Sequence, residues 1–343
     1  MRDERDERAR AAEAATGQAV RPRAIALTGA ASFLGQNLIG LFEEDGRVPR
    51  VVAFDVKPPA TAGKKTRFYQ LDLTLPNSGA RVAEILRAEE VDAFAHLAFL
   101  VEPNHTEAYA HELEAVGTMY ALEGARRAQV RKLVLWSQTL LYGARPSNPN
   151  FLSEDQPLRA GEAAPFFADK IEAEALARRY AESEGSVVTV LRTAPLLGPT
   201  VRNYMTRFLA RRFVPTLLGF DPLWQFLHEV DAVAALRLAL LRDCPGTFNI
   251  VGDGVLPLST VVRLAGRASL PLPHPLARPL AGALWLAQFA DLPPGFVDYL
   301  RYVCVADGAK AAEVMGFRPA FTTREALLDF ASAQRLRDVR LAH

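Results

Sequence analysis

AIALTGAASFLG, residues 24–35, decides the fold, because it predicts a buried strand that leads into a glycine-rich turn and then a helix. A turn of this kind brings backbone N–H groups and the positive end of a helix to one point, where a phosphate can bind. Glycine suits the close backbone approaches that the turn requires. Ser32 stands where such a turn usually has its middle glycine, and the serine side chain is small. We therefore expect a dinucleotide pyrophosphate to lie over Gly29, Ser32, Phe33, Leu34 and Gly35.

Composition excludes several classes of partner. The chain has 343 residues, and its 40 Lys and Arg nearly balance its 39 Asp and Glu, so no overall field favours nucleic acid or an anionic membrane. Cys244 and Cys304 lie far apart and the six histidines do not cluster, which predicts no disulfide framework and no metal site. The apolar run Pro279–Ala290 is shorter than the ~20 residues of a membrane span. We expect a buried helix there, with a lip that contacts lipid or an apolar substrate as the alternative, in a protein of the reducing cytoplasm.

The order of apolar and amphipathic segments predicts an α/β protein. Near-continuous apolar strands that alternate with helices are typical of a parallel sheet covered on both faces, here a doubly wound sheet of the Rossmann type. We expect a disordered tail at 1–23, the dinucleotide-binding domain at 24–195 and a smaller, mostly helical substrate lobe at 196–343, with segments near 229–251 returning to the sheet. The pattern predicts strands at 24–29, 50–55, 67–72, 93–98, 132–137, 187–194 and 247–251, and helices at 33–44, 79–89, 106–128, 166–184 and 229–241.

Asp55 indicates which dinucleotide binds. It ends the second predicted strand, where a carboxylate can accept hydrogen bonds from both ribose hydroxyls and repels a 2′-phosphate. The sequence therefore favours NAD over NADP. Three lysines just downstream keep NADP open, namely Lys57, Lys64 and Lys65.

A series of motifs resembles one known family. TGAASFLG at residues 28–35 is similar to the TGxxGxxG turn of extended short-chain dehydrogenases/reductases, which include NAD-dependent epimerases and dehydratases of nucleotide sugars and 3β-hydroxysteroid-type dehydrogenases. Further motifs follow in the family's order, namely Asp72-Leu73, His96-Leu97-Ala98, EAVGT at 114–118, LR at 191–192, LGP at 197–199, FLHEVD at 226–231, TFNI at 247–250 and MGFRP at 315–319. The resemblance implies additional cofactor contacts from Asp72, Leu73, Leu97, Ala98, Ser137 and Lys170.

The chain departs from this family at the positions that carry the chemistry. The family uses YxxxK beside a serine or threonine: the tyrosine moves a proton, the lysine lowers its pKa and holds the ribose, and the hydroxyl orients the substrate oxygen. The matching PFFADK, residues 165–170, keeps Lys170 but has Phe166 at the tyrosine position. Gln138 stands at the hydroxyl position, followed by Thr139. The resemblance thus implies Lys170, Gln138, Thr139 and Phe166 as the residues at the catalytic positions.

Three interpretations of this departure are open. The chain can be an oxidoreductase, epimerase or dehydratase with another proton donor, for which the sequence offers His96, His105, Glu102, Asp169 and Tyr142. It can be a catalytically silent sensor or scaffold that binds a dinucleotide. It can also have lost cofactor binding through changes such as Ser32.

The substrate is expected over the carboxyl ends of the strands, beneath the second lobe. Arginines after residue 200 can hold the diphosphate of a nucleotide sugar, whereas the aromatic and aliphatic residues between 208 and 226 equally suit a sterol-like or lipid ligand or a plain core. The predicted substrate residues are Arg202, Asn203, Arg207, Phe99 and His228. The resemblance also implies a homodimer through the two long helices at 106–128 and 166–184.

Overall fold

The computed structural model describes residues 21–341 except 104, 163 and 289–291. Seven parallel strands form the main sheet, in the order β11-β6-β5-β4-β1-β2-β3. This confirms the predicted Rossmann-type α/β fold. In chain order the strands are β1 Ile25–Thr28, β2 Val51–Asp55, β3 Thr66–Gln70, β4 Ala93–His96, β5 Lys132–Gln138, β6 Val187–Thr193, β7 Leu196–Leu197, β8 Phe213–Leu217, β9 Leu223–Trp224, β10 Leu227–His228, β11 Gly246–Ile250, β12 Leu256–Pro257 and β13 Ala268–Leu272.

Helices cover the sheet and build most of the lobe. Their bounds are α1 Phe33–Glu44, α2 Ser78–Ala88, α3 Glu107–His111, α4 Gly117–Arg127, α5 Pro165–Glu184, α6 Tyr204–Ala210, α7 Glu229–Leu241, α8 Leu258–Leu264, α9 His274–Leu286 and α10 Thr323–Leu341. A π-helical segment, Glu112–Val116, lies between α3 and α4, where the sequence predicts one uninterrupted helix.

Both faces of the sheet are buried, as the continuous apolar strands predict. On one face, Leu38 and Phe42 of α1 share a core with Leu236 and Leu240 of α7. On the other face, α2, α4 and α5 contribute buried residues that include Val82, Leu122 and Ala177. These residues share a core with β1, β2, β4, β5 and β6. The point where strand order reverses lies between β1 and β4, so the carboxyl ends of these two strands open toward a ligand site.

The lobe has its own apolar core, formed by residues that include Met205, Phe208, Trp224, Phe296 and Phe330. The chain leaves it after β10 to form α7 and β11, and β11 pairs in parallel with β6. Besides its helices, the lobe contains the strand pairs β8–β13 and β9–β12.

The structure describes only the end of the predicted tail at 1–23. Most of the predicted tail, residues 1–20, lies outside the described residues. Arg23 is anchored, because its backbone N–H donates to Asp92 Oδ2 at 2.6 Å and its guanidinium pairs with Asp92 at 2.9 Å. The ordered fold therefore begins before Ala24.

The prediction of a buried helix in Pro279–Ala290 is wrong for the part that the structure describes. Helix α9 is exposed along most of its length, with Leu276 62% and Leu286 85% exposed, and Ala277 is its buried residue. The cause is positional: α9 packs mainly on the segment Pro294–Leu300, and its remaining side is largely exposed. No helix of the described residues is both long and apolar enough to cross a bilayer.

Candidate active site

The turn after β1 is too tightly packed for side chains at its glycines. Gly29 has a φ of +68°, and a Cβ on it would lie 2.7 Å from the carbonyl oxygen of Leu97. A Cβ on Gly35 would lie 2.3 Å from the carbonyl oxygen of Gly29. Ser32 caps α1, since its Oγ accepts a hydrogen bond from the Gly35 N–H at 3.1 Å. The hydroxyl that the sequence places near a phosphate therefore also starts the helix.

Asp55 lies directly beside this turn at the end of β2. Its Oδ2 accepts a hydrogen bond from the Ala31 N–H at 2.9 Å, and its Oδ1 accepts one from the Lys57 N–H at 3.3 Å. The carboxylate is thus oriented by backbone groups next to the glycine turn. Turn, helix terminus and carboxylate together fit the adenosine and pyrophosphate half of NAD.

Asp72 and Leu73 follow β3, on the same side of the switch point. The Asp72 carboxylate accepts hydrogen bonds from the backbone N–H and the hydroxyl of Thr74, at 2.9 and 2.7 Å. Leu73 is buried in the core beneath the turn. The cofactor contacts that the resemblance implies for both residues stay predictions.

A cleft of about 680 Å³ runs from this turn toward the lobe. It joins the start of α1, the carboxyl ends of β4, β5 and β6, and the start of α6, and its wall is mostly apolar. Its lining residues are Ser32, Phe33, Leu34, Leu97, Phe99, Leu100, Val101, Trp136, Gln138, Thr193, Ala194, Pro195, Leu196, Val201, Arg202, Asn203, Tyr204 and Met205. Ala98 connects two lining residues in the chain.

The ammonium group of Lys170 is paired and buried. It forms a buried ion pair with Glu114, and Glu114 Oε1 also accepts the Leu100 N–H at 2.7 Å. The Lys170 Nζ lies 4.3 Å from the ring centroid of Phe166 and 5.6 Å from that of Phe99. Burial lowers the pKa of Lys170 and raises the pKa of Glu114, and the ion pair opposes both changes. The resemblance implies an asparagine at position 114, and the glutamate that stands there instead pairs with Lys170.

Gln138 reaches the cleft and has a partner that the sequence does not indicate. The Tyr204 hydroxyl donates a hydrogen bond to Gln138 Oε1 at 3.0 Å. The Tyr204 ring packs edge-on against Phe166 and Phe296, each at 6.1 Å between centroids. Burial raises the pKa of Tyr204. The contact between Tyr204 and Gln138 depends on how the start of α6 meets the end of β5. No local sequence pattern encodes that arrangement.

The neighbours of Gln138 have other partners. The Ser137 hydroxyl donates to Glu174, whose carboxylate pairs with Arg192 at 2.7 Å. Thr139 is buried, and its carbonyl oxygen lies 3.7 Å from the Cys304 thiol. The cofactor contact that the resemblance implies for Ser137 stays a prediction, since Ser137 is absent from the cleft wall.

The five alternative proton donors are engaged away from the cleft. His96 is fully buried, with Nδ1 2.8 Å from the Thr28 hydroxyl and Nε2 2.9 Å from that of Thr118. Burial lowers the pKa of His96 to about 3, so it is neutral at physiological pH. The others have partners too: Tyr142 donates to Asn249 at 2.8 Å, His105 stacks on Trp285, Glu102 pairs with Arg207, and Asp169 pairs with His111.

The predicted substrate residues separate into two groups. Phe99, Arg202 and Asn203 line the cleft, although Asn203 also caps α6 by accepting the Thr206 N–H at 2.9 Å. Arg207 and His228 are not part of its wall. His228 caps α7 through Val230 and stacks on Phe321 with centroids 3.8 Å apart.

One cluster of potential metal ligands lies outside the cleft. His111, Asp169 and Glu172 place ligand atoms within 4.8 Å of one another. His111 Nδ1 is 2.7 Å from Asp169 Oδ1, which raises the pKa of His111. We interpret this cluster as an ion pair between α3 and α5.

Comparison with known proteins agrees with this geometry. Residues 25–251 match the NAD dependent epimerase/dehydratase family. An uncharacterised protein of Mycobacterium tuberculosis is 31% identical over 317 residues, which cover 90% of this chain and 83% of the relative. A 3-diazoavenalumate denitrifying reductase of Streptomyces sp is 28% identical over 268 residues, covering 76% of this chain and 86% of the reductase.

The fold likeness extends to solved structures. MoeE5 in complex with UDP-glucuronic acid and NAD superposes with a TM-score of 0.70 at 24% identity, covering 91% of this chain and 99% of MoeE5. The family's description names NAD, in agreement with the cofactor that the sequence predicts. The family match spans most of the described chain, including the glycine turn, the cleft and Lys170, and so the chain belongs to the NAD dependent epimerase/dehydratase family of extended short-chain dehydrogenases/reductases.

Proposed function

We propose that the chain is an NAD-dependent oxidoreductase, epimerase or dehydratase with a rearranged active site, acting in the cleft between sheet and lobe. The observation that carries this proposal is the continuity of the cleft. One cavity joins the glycine turn at Ser32–Leu34 to the hydrogen-bonded pair Gln138–Tyr204. Bound NAD supplies or accepts a hydride. Gly29, Gly35 and Asp55 are proposed to bind it, and Asp55 to select it over NADP.

Two substrate classes are compatible with the cleft. A nucleotide sugar is supported by Arg202 at the wall, where a guanidinium can hold a diphosphate, and by the UDP-glucuronic acid bound to MoeE5. A sterol-like or other apolar compound is supported by the wall itself, in which Phe33, Leu97 and Phe99 stand beside few polar groups.

The second candidate function is a catalytically silent sensor or scaffold that binds NAD. It is favoured by one observation, the burial of Lys170 against Glu114. A lysine held by a carboxylate and covered by two aromatic rings is poorly placed to assist a proton transfer.

The testing experiment is calorimetric titration of the purified chain with NAD⁺, NADH, NADP⁺ and NADPH. We expect micromolar binding of NAD⁺ and NADH and weaker binding of the phosphorylated forms. Asp55→Asn should reduce that preference, whereas Asp221→Asn, on the exposed surface of the lobe, should leave it unchanged. Failure to bind any of the four would refute the proposal and turn attention to other ligands.

A screen on the bound enzyme separates the two candidates. UDP-glucuronic acid and UDP-glucose are added to the NAD⁺ complex, and apolar ketones to the NADH complex, while the absorbance of the reduced nicotinamide is followed. A change in either direction, or an epimerised or dehydrated sugar among the products, identifies an enzyme. Binding with neither result in every case favours the silent binder.

The assembly and location of the protein are part of the same proposal. We propose a homodimer through α3, α4 and α5, on which Tyr109 and Met119 are exposed apolar side chains. The cytoplasm remains the predicted location, and the two cysteines are unpaired.

A further inference from the structure

We propose that Tyr204 is the proton donor of this site, acting with Gln138 on the oxygen of an apolar carbonyl substrate that is reduced in the cleft. This inference rests on the proposed function and names the substrate class and direction for that same site.

The position of the hydroxyl supports the assignment. Tyr204 and Gln138 both line the cleft, and 3.0 Å separates the Tyr204 hydroxyl from Gln138 Oε1. Gln138 stands at the end of β5, where the resemblance places the hydroxyl residue that orients a substrate oxygen. The amide of Gln138 retains N–H donor groups for a ligand. A carbonyl oxygen that enters the cleft beside the pair can accept a hydrogen bond from this amide, and it accepts one from Tyr204 when that hydroxyl turns from Gln138 Oε1 to the ligand.

The packing of the ring explains why the donor comes from the lobe. Phe166 has no hydroxyl at the family's tyrosine position, and its ring contacts the Tyr204 ring edge-on at 6.1 Å. Phe296 holds Tyr204 from another direction at the same distance. A ring fixed between two aromatic neighbours keeps its hydroxyl in one place, which is the condition for efficient proton transfer.

The charges around the site indicate the protonation state of Tyr204 before the reaction. Lys170 is paired with Glu114 and separated from Tyr204 by the Phe166 ring, so it is not placed to stabilise a tyrosinate. Burial raises the pKa of Tyr204, which keeps the hydroxyl protonated. A protonated phenol can donate to an alkoxide that forms during reduction, whereas removing a proton from an alcohol needs the ionised form.

The proposed reduction transfers one hydride and one proton to the substrate. Reduced NAD, when bound, supplies the hydride to the carbonyl carbon. The carbonyl π bond breaks as its oxygen takes the proton from Tyr204 Oη, and the tyrosinate then takes a proton from water. The apolar wall formed by Phe33, Leu97 and Phe99 suits an aryl or alicyclic ketone.

The first test needs no turnover. The full chain is labelled with ¹³C at the Cζ of tyrosine, and the Tyr204 resonance is assigned from Tyr204→Phe. Should that variant fail to fold, Gln138→Leu serves instead, because it removes the partner of this one hydroxyl. We expect saturating NAD⁺ and NADH to move the Tyr204 resonance to different positions, since only the oxidised ring is cationic. The resonance of Tyr69, which is absent from the cleft wall and donates to Glu89, should stay unmoved.

The outcomes of this test are distinct. Binding of NAD⁺ by calorimetry with no movement of the Tyr204 resonance would overturn the role of Tyr204 and leave the proposed function standing. Absence of nucleotide binding would overturn both. Separate positions in the two complexes would support the proposal.

The second test measures turnover with acetophenone, benzaldehyde and a 3-ketosteroid in the presence of NADH. We expect Tyr204→Phe to lower kcat by about 10²-fold or more with little change in KM for NADH. Tyr69→Phe, outside the cleft wall, should match the wild type. Equal turnover by Tyr204→Phe, or no turnover of any of the three compounds by the wild type, would overturn the assignment of the cleft to carbonyl reduction.

Discussion

At the scale of single residues, Lys170 and Glu114 bring opposite charges together where water cannot reach them. Their side chains are 3% and 0% exposed, and Glu114 Oε2 has no hydrogen-bond partner among the described residues. Removing one member of such a pair leaves the other charge buried and uncompensated. Replacing both residues with neutral groups of similar size removes the buried charges and also the attraction between them.

We therefore predict that Lys170→Met lowers the free energy of unfolding by about 3–5 kcal/mol, and that Glu114→Gln combined with Lys170→Met recovers most of this loss. Urea denaturation measures both. The control is Arg81→Met, which breaks an exposed pair with Glu84 and should cost less than about 1 kcal/mol. A cost for Lys170→Met no greater than that of the control would show that the pair is not buried as described.

The same double variant tests the ribose contact that the resemblance implies for Lys170. Because Lys170 lies behind Phe166 and Phe99, we expect NAD⁺ affinity to fall by less than about tenfold, or 1.4 kcal/mol. Calorimetry measures this affinity. A larger loss would mean that the lysine leaves Glu114 when the cofactor binds.

At the scale of secondary-structure elements, His96 joins two strands and a helix. It stands at the end of β4 and contacts Thr28 of β1 and Thr118 of α4 through its two ring nitrogens. With a pKa of about 3 in the folded protein and about 6.5 in the unfolded chain, it binds fewer protons when folded at any pH between these values. Its contribution to stability is therefore complete above about pH 6.5 and is lost as the pH falls toward 3.

We predict that this group alone makes the protein about 2 kcal/mol less stable at pH 5 than at pH 7. Urea denaturation at both pH values measures the free energy of unfolding. In His96→Gln, the difference between the two values should be smaller by this amount. His111→Gln is the matched control, because Asp169 raises the pKa of His111 and gives it a dependence of opposite sign. An unchanged pH dependence in His96→Gln would contradict the prediction.

Helix α9 leads to a different expectation, because its leucines contribute little to the core. Leu280→Glu and Leu284→Glu should each change the free energy of unfolding by less than about 0.5 kcal/mol. Leu240→Ala in α7, which is fully buried, should cost about 2–5 kcal/mol. Thermal and urea unfolding of the three variants checks this, and a large loss from either glutamate would place α9 in the core after all.

These elements also mark how far the sequence predicts the structure. The predicted sheet strands and helices end within a few residues of the observed ones, because apolar runs bounded by Gly, Asp and Pro define them locally. The exposure of α9 could not be predicted, since an apolar run does not reveal whether another element covers it. Nor could the contact of Tyr204 with Gln138, two residues 66 positions apart that meet only because α6 crosses the end of β5.

At the scale of the whole molecule, the exposed side of the α3–α4–α5 layer is where we expect a second copy of the chain. Met119→Glu should convert a dimer to a monomer, because it places a charge in a surface that the partner would desolvate. Analytical ultracentrifugation at micromolar concentration measures the mass. Leu286→Glu, on α9, should leave the dimer intact, and a monomeric wild type would refute the assembly.

The return of the chain from the lobe to supply α7 and β11 limits how the protein can be divided. A fragment that stops at residue 195 would keep the nucleotide turn but lack the helix that covers Leu38 and Phe42, as well as the hydrogen-bonding partner of β6. Such a fragment would expose apolar sheet surface and an unpaired strand edge, and it would aggregate. The nucleotide-binding half is therefore complete only with a segment that lies beyond the first part of the lobe in the sequence.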